Sequence, residues 1–236
     1  MLSPVKSLAV REVETADLGP WGVAGDRRFF LVDDRGRLVN GLRCGRLATA
    51  QADWDGATLT ITLPDGTRAA AEPRPTEPIA VDWELGYSVS GRVVDGPFAE
   101  ALEPLAGRRL RLVQADEERS GWSEHPVSMI GSASIAALRT PPPESKRFRM
   151  LVEVSGGEAC AEDGWVGRRV SVGEAVIAVR KVCRRCATTT HDPRTGTRDF
   201  DTLRVLLAKR GSIDLGVYGD VVRPGRLQIG DEVAPI

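Results

Sequence analysis

Residues 170–179 read Val170-Ser171-Val172-Gly173-Glu174-Ala175-Val176-Ile177-Ala178-Val179, and after Arg180 comes Lys181-Val182-Cys183-Arg184-Arg185-Cys186-Ala187-Thr188-Thr189-Thr190-His191-Asp192-Pro193-Arg194-Thr195-Gly196. The first part is a β-branched run of the kind that fills a buried strand. The second packs a Cys-x-x-Cys pair, two arginines and a row of hydroxyls ahead of Asp-Pro-x-x-Gly, a turn in which Pro fixes φ and Gly is free to take φ > 0. A thiol pair at the exit of a strand is the expectation.

That spacing admits several chemistries. A structural zinc site needs four soft or borderline ligands, whereas Cys44, Cys160, His125 and His191 stand alone with no second knuckle. A redox dithiol belongs at a helix N-terminus, where the dipole lowers a thiol pKa, and Thr-Thr-Thr-His-Asp-Pro opens no helix cleanly. A third reading is one thiolate ligand for a soft metal or metal cofactor, kept ionised by Arg184 and Arg185. Two half-buried cysteines closing a strand would give the same pattern.

Outward from this stretch, composition sets bounds. With 236 residues the chain can bury a core without staples, and Lys+Arg 32 against Asp+Glu 33 leaves a net charge of −1. No global charge points to nucleic acid or a membrane surface. The 4 cysteines are irregularly spaced and fit a reducing compartment. The start lacks a basic region followed by an apolar run, and no window resembles a membrane span. A soluble, cytoplasmic protein is expected, with neither nucleic acid nor membrane as partner.

The fold class expected is mainly β with a few short helices. Strands are predicted at residues 2–13, 29–32, 37–40, 48–54, 58–63, 67–71, 79–83 and 110–113, with a hairpin turn at 33–36 and a short helix near 97–105. The proline-rich residues 72–78 read as a surface connection, and on pattern alone the bland alternative for Lys6 is a solvated strand residue. A mobile loop at 116–121 marks the softest boundary, dividing the chain into a β-rich unit at 1–115 and a second unit at 116–236, the first strand being free to join the core of the second. Beyond it come a strand at 127–130, a helix at 132–138 capped by Ser132, a strand at 147–154, a helix at 200–210 and a closing strand pair at 225–233.

Several motifs, in this order and spacing, resemble the MOSC family, the C-terminal domain type of molybdenum cofactor sulfurase, preceded by its N-terminal β-rich domain. They are Pro4-Val5-Lys6-Ser7, residues 25–33 from Gly25-Asp26-Arg27-Arg28, residues 43–47, Arg147-Phe148-Arg149, Glu162-Asp163-x-Trp165-x-Gly167, the cysteine motif with Thr188-Thr189, Gly216-x-Tyr218 and Gly225-x-x-x-x-Gly230-Asp231. Within the family the chain is similar to the mitochondrial amidoxime reducing component and its bacterial relatives. The resemblance implies a β-barrel core and a molybdenum cofactor (Mo-molybdopterin) whose metal is held by Cys186. Lys6, Ser7, Arg27, Arg149 and Tyr218 would hold the pterin and its phosphate, with Arg184 beside them.

The implied activity is a two-electron reduction of a small N-oxygenated (N-hydroxylated) compound. No attached iron–sulfur cluster is expected, so electrons would come from a separate electron-transfer protein or flavin reductase. Cys186, Arg184, His125 and Glu124 are the catalytic candidates, the two latter for acid–base work. A sulfur-carrier or cofactor-handling protein using Cys186 is the alternative, because persulfide chemistry also wants an accessible thiol. Three departures from the amidoxime reducers bear on the site. Met150-Leu151 follows Arg149 in place of Pro-Asn, Arg184 replaces a small residue, and Ser123-Glu124-His125 replaces Asp-Thr-Ser.

Overall fold

Phe29–Val32 (β3) is apolar at every position, and all four side chains are fully buried. Alternation along a strand sends Phe29 and Leu31 to one face and Phe30 and Val32 to the other, and each pair enters a different hydrophobic cluster. This is why the run carries no polar residue. Phe30 meets Trp83 edge-on at 4.9 Å, and Phe29 meets Trp54 in the same way at 5.5 Å.

The structure, a computed structural model, describes residues 1–83, 86–117 and 124–236. Preceding β3 are Thr15–Gly19 (β1) and Gly22–Val23 (β2), and following it is Leu38–Val39 (β4). Then come Gln51–Trp54 (β5), Leu59–Thr62 (β6), Arg68–Ala71 (β7), Arg74–Asp82 (β8), Ser88–Asp95 (β9), the helix Phe98–Ala106 (α1) and Arg111–Ala115 (β10). The second half holds Val127–Gly131 (β11), Ser132–Ala136 (α2), Val152–Val154 (β12), Arg169–Val172 (β13), Ala175–Arg184 (β14), Thr202–Arg210 (α3), Asp214–Arg223 (β15), Gly225–Gln228 (β16) and Val233–Pro235 (β17).

Among the described residues these strands form a five-stranded sheet (β4-β3-β10-β9-β8), a six-stranded curled sheet (β12-β11-β15-β14-β13-β17) and two small antiparallel sheets, β5-β6-β7 and β16-β1-β2. The last joins the chain's start to its end, with Thr15 opposite Gln228. The mainly β class expected from the sequence is what the chain adopts. The curled sheet encloses Val127, Met129, Ile177, Val179 and Val217, while α2 and α3 cover a cluster on its flank that includes Ile130, Phe148, Cys183 and Leu206.

Four expectations need correction. Residues 2–13 are not a strand but a buried, turning segment touching its neighbours through isolated bridges such as Val5 to Phe29. Pro4 has no N–H to donate and Ser7 sits at φ 78, so no ladder can run through. Lys6 is accordingly half-buried rather than solvated. Residues 74–78 of the proline-rich segment belong to β8, because β8 is an edge strand where a missing N–H is tolerated, and its register slips between Pro75 and Pro78. The basic stretch at 147–154 is a 3-10 turn over Ser145–Phe148, then Arg149 at φ 57, and only afterwards β12. Gly131, not Ser132, occupies the N-cap of α2, with no side-chain cap bond. Most of the expected boundary loop at 116–121, and Ser123, lie outside the described residues.

Candidate functional site

One cavity of about 360 Å³ lies where the N-terminal segment, the loop after β4, the 145–151 segment, the end of β14 and β15 converge. Lys6, Ser7, Arg27, Glu124, His125, Arg149, Arg184, Cys186 and Tyr218, drawn from both halves of the chain, all line it. Each arrives there for a local reason.

Residues 1–8 run beside residues 26–29: Ser3 N–H donates to Asp26 Oδ1 at 2.8 Å, Arg27 N–H to Ser3 O at 2.7 Å and Lys6 N–H to Phe29 O at 2.7 Å. Lys6 and Arg27 are thereby fixed side by side. Ser7 Oγ accepts from Gly41 N–H at 3.0 Å, which ties the loop after β4 to the same wall. Arg27 pairs with Asp26 and also donates to the Arg149 carbonyl at 3.0 Å, bridging the two halves of the chain.

Three of the four non-glycine residues with positive φ among those described are Ser7, Arg27 and Arg149. Such conformations are costly for residues bearing a Cβ, and they persist where surrounding contacts fix them, typically at functional sites. Here they aim two guanidiniums and a hydroxyl into one space.

The electrostatics are lopsided. Burial, then the neighbouring Arg27 and Arg149, hold Lys6 down to about pKa 7, against weaker opposition from Asp26 and Cys186. Burial, then Arg27, lower Arg149 to about 10. Nη2 of Arg149 and Nε1 of Trp83 are buried with no hydrogen-bond partner among the described residues. Trp83 also lines the cavity, and Lys6 Nζ stands 5.0 Å from its ring centroid. Stranded donors beside several cations make a site short of negative charge and of acceptor oxygens.

The two cysteines of the motif differ. Cys183 is buried in the flank cluster; burial pushes its thiol up, against Arg185 and a hydrogen bond with Tyr218. Burial, then the same thiol, raises Tyr218 above its ordinary range. Cys186 is exposed, at the N-cap of the 3-10 turn Ala187–Thr190, and Thr189 Oγ1 donates to its carbonyl at 3.0 Å. All four cysteines are free thiols. Among the described residues no three His, Cys, Asp or Glu side chains lie close enough to share a metal.

The arginines of the motif also divide. Arg184 is exposed on the cavity wall. Arg185 is buried and acts as a clamp, giving hydrogen bonds to Leu215 O (2.8 Å), Phe148 O (3.2 Å) and Met150 Sδ (3.0 Å). Arg147 is likewise tied up, with Thr189 O at 2.9 Å and a bidentate grip on Asp199. Leu151, the departure expected to cost a polar contact, faces the cavity, and its N–H is taken by Ser128 Oγ at 3.0 Å. At the mouth, Glu124 pairs with Lys181, and His125 Nδ1 meets Asp220 Oδ1 at 2.8 Å. Sequence reasoning missed Trp83 and Asp220, to which nothing in spacing pointed, and it read Arg185 as a cation beside the thiolate where the structure makes it a buried clamp.

A family profile described as MOSC domain matches residues 116–234, and one described as MOSC N-terminal beta barrel domain matches residues 1–86. The chain belongs to the MOSC family. This MOSC chain is 24% identical to the mitochondrial amidoxime-reducing component 1 of Xenopus laevis over 275 residues, covering 99% of this chain and 80% of that protein. It is 24% identical to the Homo sapiens protein of the same name, with 98% and 80% covered. Similarity extends to the molybdenum cofactor sulfurase of Anopheles gambiae, 26% identical over 92% of this chain but only 33% of that longer protein. Among solved structures, the YUAD protein from Bacillus subtilis aligns over 98% of this chain and 90% of its own with a TM-score of 0.46 and 12% identity. No helix among the described residues of the MOSC chain is long and apolar enough to cross a membrane.

Proposed function

We propose that the chain binds a molybdenum cofactor in this cavity and works as an oxidoreductase that reduces small N-oxygenated compounds, taking electrons from a separate electron-transfer protein or flavin reductase. The observation that carries the reading is the pairing of one exposed thiol, Cys186, with a wall of cations in which Arg149 Nη2, like Trp83 Nε1 beside it, is buried with no hydrogen-bond partner among the described residues. A phosphate-bearing, dithiolene-bearing cofactor is a polyanion rich in acceptor oxygens, so the residues present fit it. Cys186 would be the metal ligand, because a thiolate is a soft donor suited to a metal already held by sulfur. Arg149, Arg27 and Lys6 would take the phosphate, with Ser7 and Tyr218 as hydroxyl partners and Arg184 on the outer wall.

When bound, the cofactor supplies two-electron redox chemistry and a place for the oxygen taken from the substrate's N–O bond. The chain's own part is to neutralise charge, to orient, and to present the substrate beside Cys186. Similarity to proteins named amidoxime-reducing component, across most of both chains, supports the choice of substrate class.

A second reading has a specific observation behind it. Cys186 is exposed and the sulfurases are also relatives, so a carrier that holds cofactor or persulfide sulfur on this thiol would use the same residues. Turnover separates the two. Protein from a molybdate-fed host, given benzamidoxime and a dithionite-reduced viologen dye, should form the amidine catalytically, and Cys186→Ser should fall to the background rate. Molybdenum-loaded wild-type protein that forms no amidine from this or any other N-hydroxylated compound would favour the carrier.

A further inference from the structure

At the cavity mouth stands a chain of three groups, Arg180, Asp220 and His125. Arg180 Nε donates to Asp220 Oδ2 at 2.7 Å, and Asp220 Oδ1 faces His125 Nδ1 at 2.8 Å. Arg180 sits on β14 at a register shift and Asp220 on the neighbouring strand β15, opposite Ala178, while His125 enters from the segment just before β11. Burial alone would raise the Asp220 carboxyl, but the hydrogen bonds from His125 and Arg180 outweigh it and keep the group below its ordinary range, hence ionised. An ionised acceptor at Nδ1 fixes that nitrogen as the protonated one in the neutral ring.

The two ring nitrogens lie on opposite sides of an imidazole. His125 lines the cavity and Asp220 does not, so Nε2 is the nitrogen left for a ligand. The ring is further held by Tyr218, 5.9 Å between centroids and tilted 31°. Among the described residues, Glu124 and Lys181 at this end are paired with each other. His125 is thus an acid–base group held in one orientation, with its side chain 21% exposed so that it can exchange protons with water.

We propose that His125, oriented by Asp220 and Arg180, is the proton donor that releases the substrate's oxygen as water. The proposal rests on the N-reduction reading above. For an amidoxime the balance is complete: the N–O bond breaks, two electrons arrive from the separate electron carrier, two protons enter, and the products are one amidine and one water. The ring donates as the doubly protonated imidazolium: its Nε2–H supplies the proton that the departing oxygen needs, which leaves the neutral Nδ1–H form bonded to Asp220, the second proton comes from solvent, and Nε2 is reprotonated by solvent. Asp220 and Arg180 are positioning residues. General acid catalysis of this kind contributes about 100-fold or more.

The test has two parts. In the cofactor-free protein, long-range proton–nitrogen NMR can read each imidazole tautomer, since the chain has His 2 in all. His125 should be the Nδ1–H form at alkaline pH and should lose that preference in Asp220→Ala; an Nε2–H form in the wild type would overturn the orientation. In the loaded enzyme, with benzamidoxime and reduced viologen, His125→Gln and Asp220→Ala should keep their molybdenum and KM while kcat falls, by about 100-fold for His125→Gln. Imidazole in the buffer should restore kcat in His125→Gly. Unchanged kcat in His125→Gln, or metal-loaded His125→Gly that imidazole leaves inactive, overturns the proposal while leaving the N-reduction reading intact. A wild type with molybdenum and no turnover would instead remove that reading, and this proposal with it.

Discussion

Lys6 is the residue whose environment differs most from what its place in the sequence suggests. Its folded pKa near 7 lies below the ordinary 10.5, so between those values the unfolded chain binds more protons than the folded one. Stability of the cofactor-free protein should therefore rise with pH across that window, and Lys6 costs most below about pH 7. Lys6→Met should be more stable than wild type in urea at pH 7, by a margin that shrinks toward pH 9 by at most about 1.4 kcal/mol per pH unit; a margin independent of pH would contradict the burial. An anionic ligand reverses the preference, so the same variant should retain cofactor poorly. That Lys6, Arg27 and Arg149 converge was not legible from periodicity, because the feature that aims them is a positive φ at Ser7, Arg27 and Arg149. Only the family resemblance joined them. Arg184 and Arg185 read alike in sequence, yet one is a wall cation and the other a backbone clamp, a difference set by which side of β14's end each leaves.

At the scale of elements, β14 and β15 carry the site. Their ladder shifts register at three places, the last between Val182 and Arg184, and bulges of this kind bend a strand and re-aim its side chains. The bend coincides with the point where Cys183 turns into the core and Cys186 is left outside. Gly216 makes the crossing possible: it sits at φ +76, and a Cβ there would lie 2.6 Å from Met129 O and 3.2 Å from Arg185 Nη2. Gly216→Ala should cost about 2–4 kcal/mol of stability from left-handed strain and overpacking together, which denaturant unfolding can measure; a cost below 0.5 kcal/mol, roughly that of a neutral surface change, would mean the crossing is looser than described. Strands with clean alternation or a fully apolar run, such as β3 and β6, were legible because period and composition alone specify them, whereas the 170–179 run, read as one strand, turns at Gly173-Glu174 into the antiparallel pair β13 and β14. The errors fell where a competing constraint decides: Pro75 and Pro78 are tolerated because β8 is an edge, and residues 145–151 turn because they fit around Arg185.

Across the whole molecule the chain closes on itself, with β1 paired to β16 and the Met1 amino group bonded to Leu151 O at 2.5 Å. The cavity lies between halves distant in sequence, which explains why the fold class could be read from local patterns while the cavity could not. Long-range assembly leaves no periodic trace, and the ordered motifs of the MOSC resemblance supplied what spacing lacked. The central claim is that Cys186 alone of the motif serves the metal. The measurement is molybdenum and pterin content, by metal analysis and fluorescence of the oxidised pterin, in wild type, Cys186→Ser and Cys183→Ser purified from a molybdate-fed host. The account predicts about one molybdenum per chain in the wild type, as one thiolate ligand for one metal implies, with the metal lost in Cys186→Ser and mostly kept in Cys183→Ser; full molybdenum in Cys186→Ser, or equal loss in both variants, would contradict it.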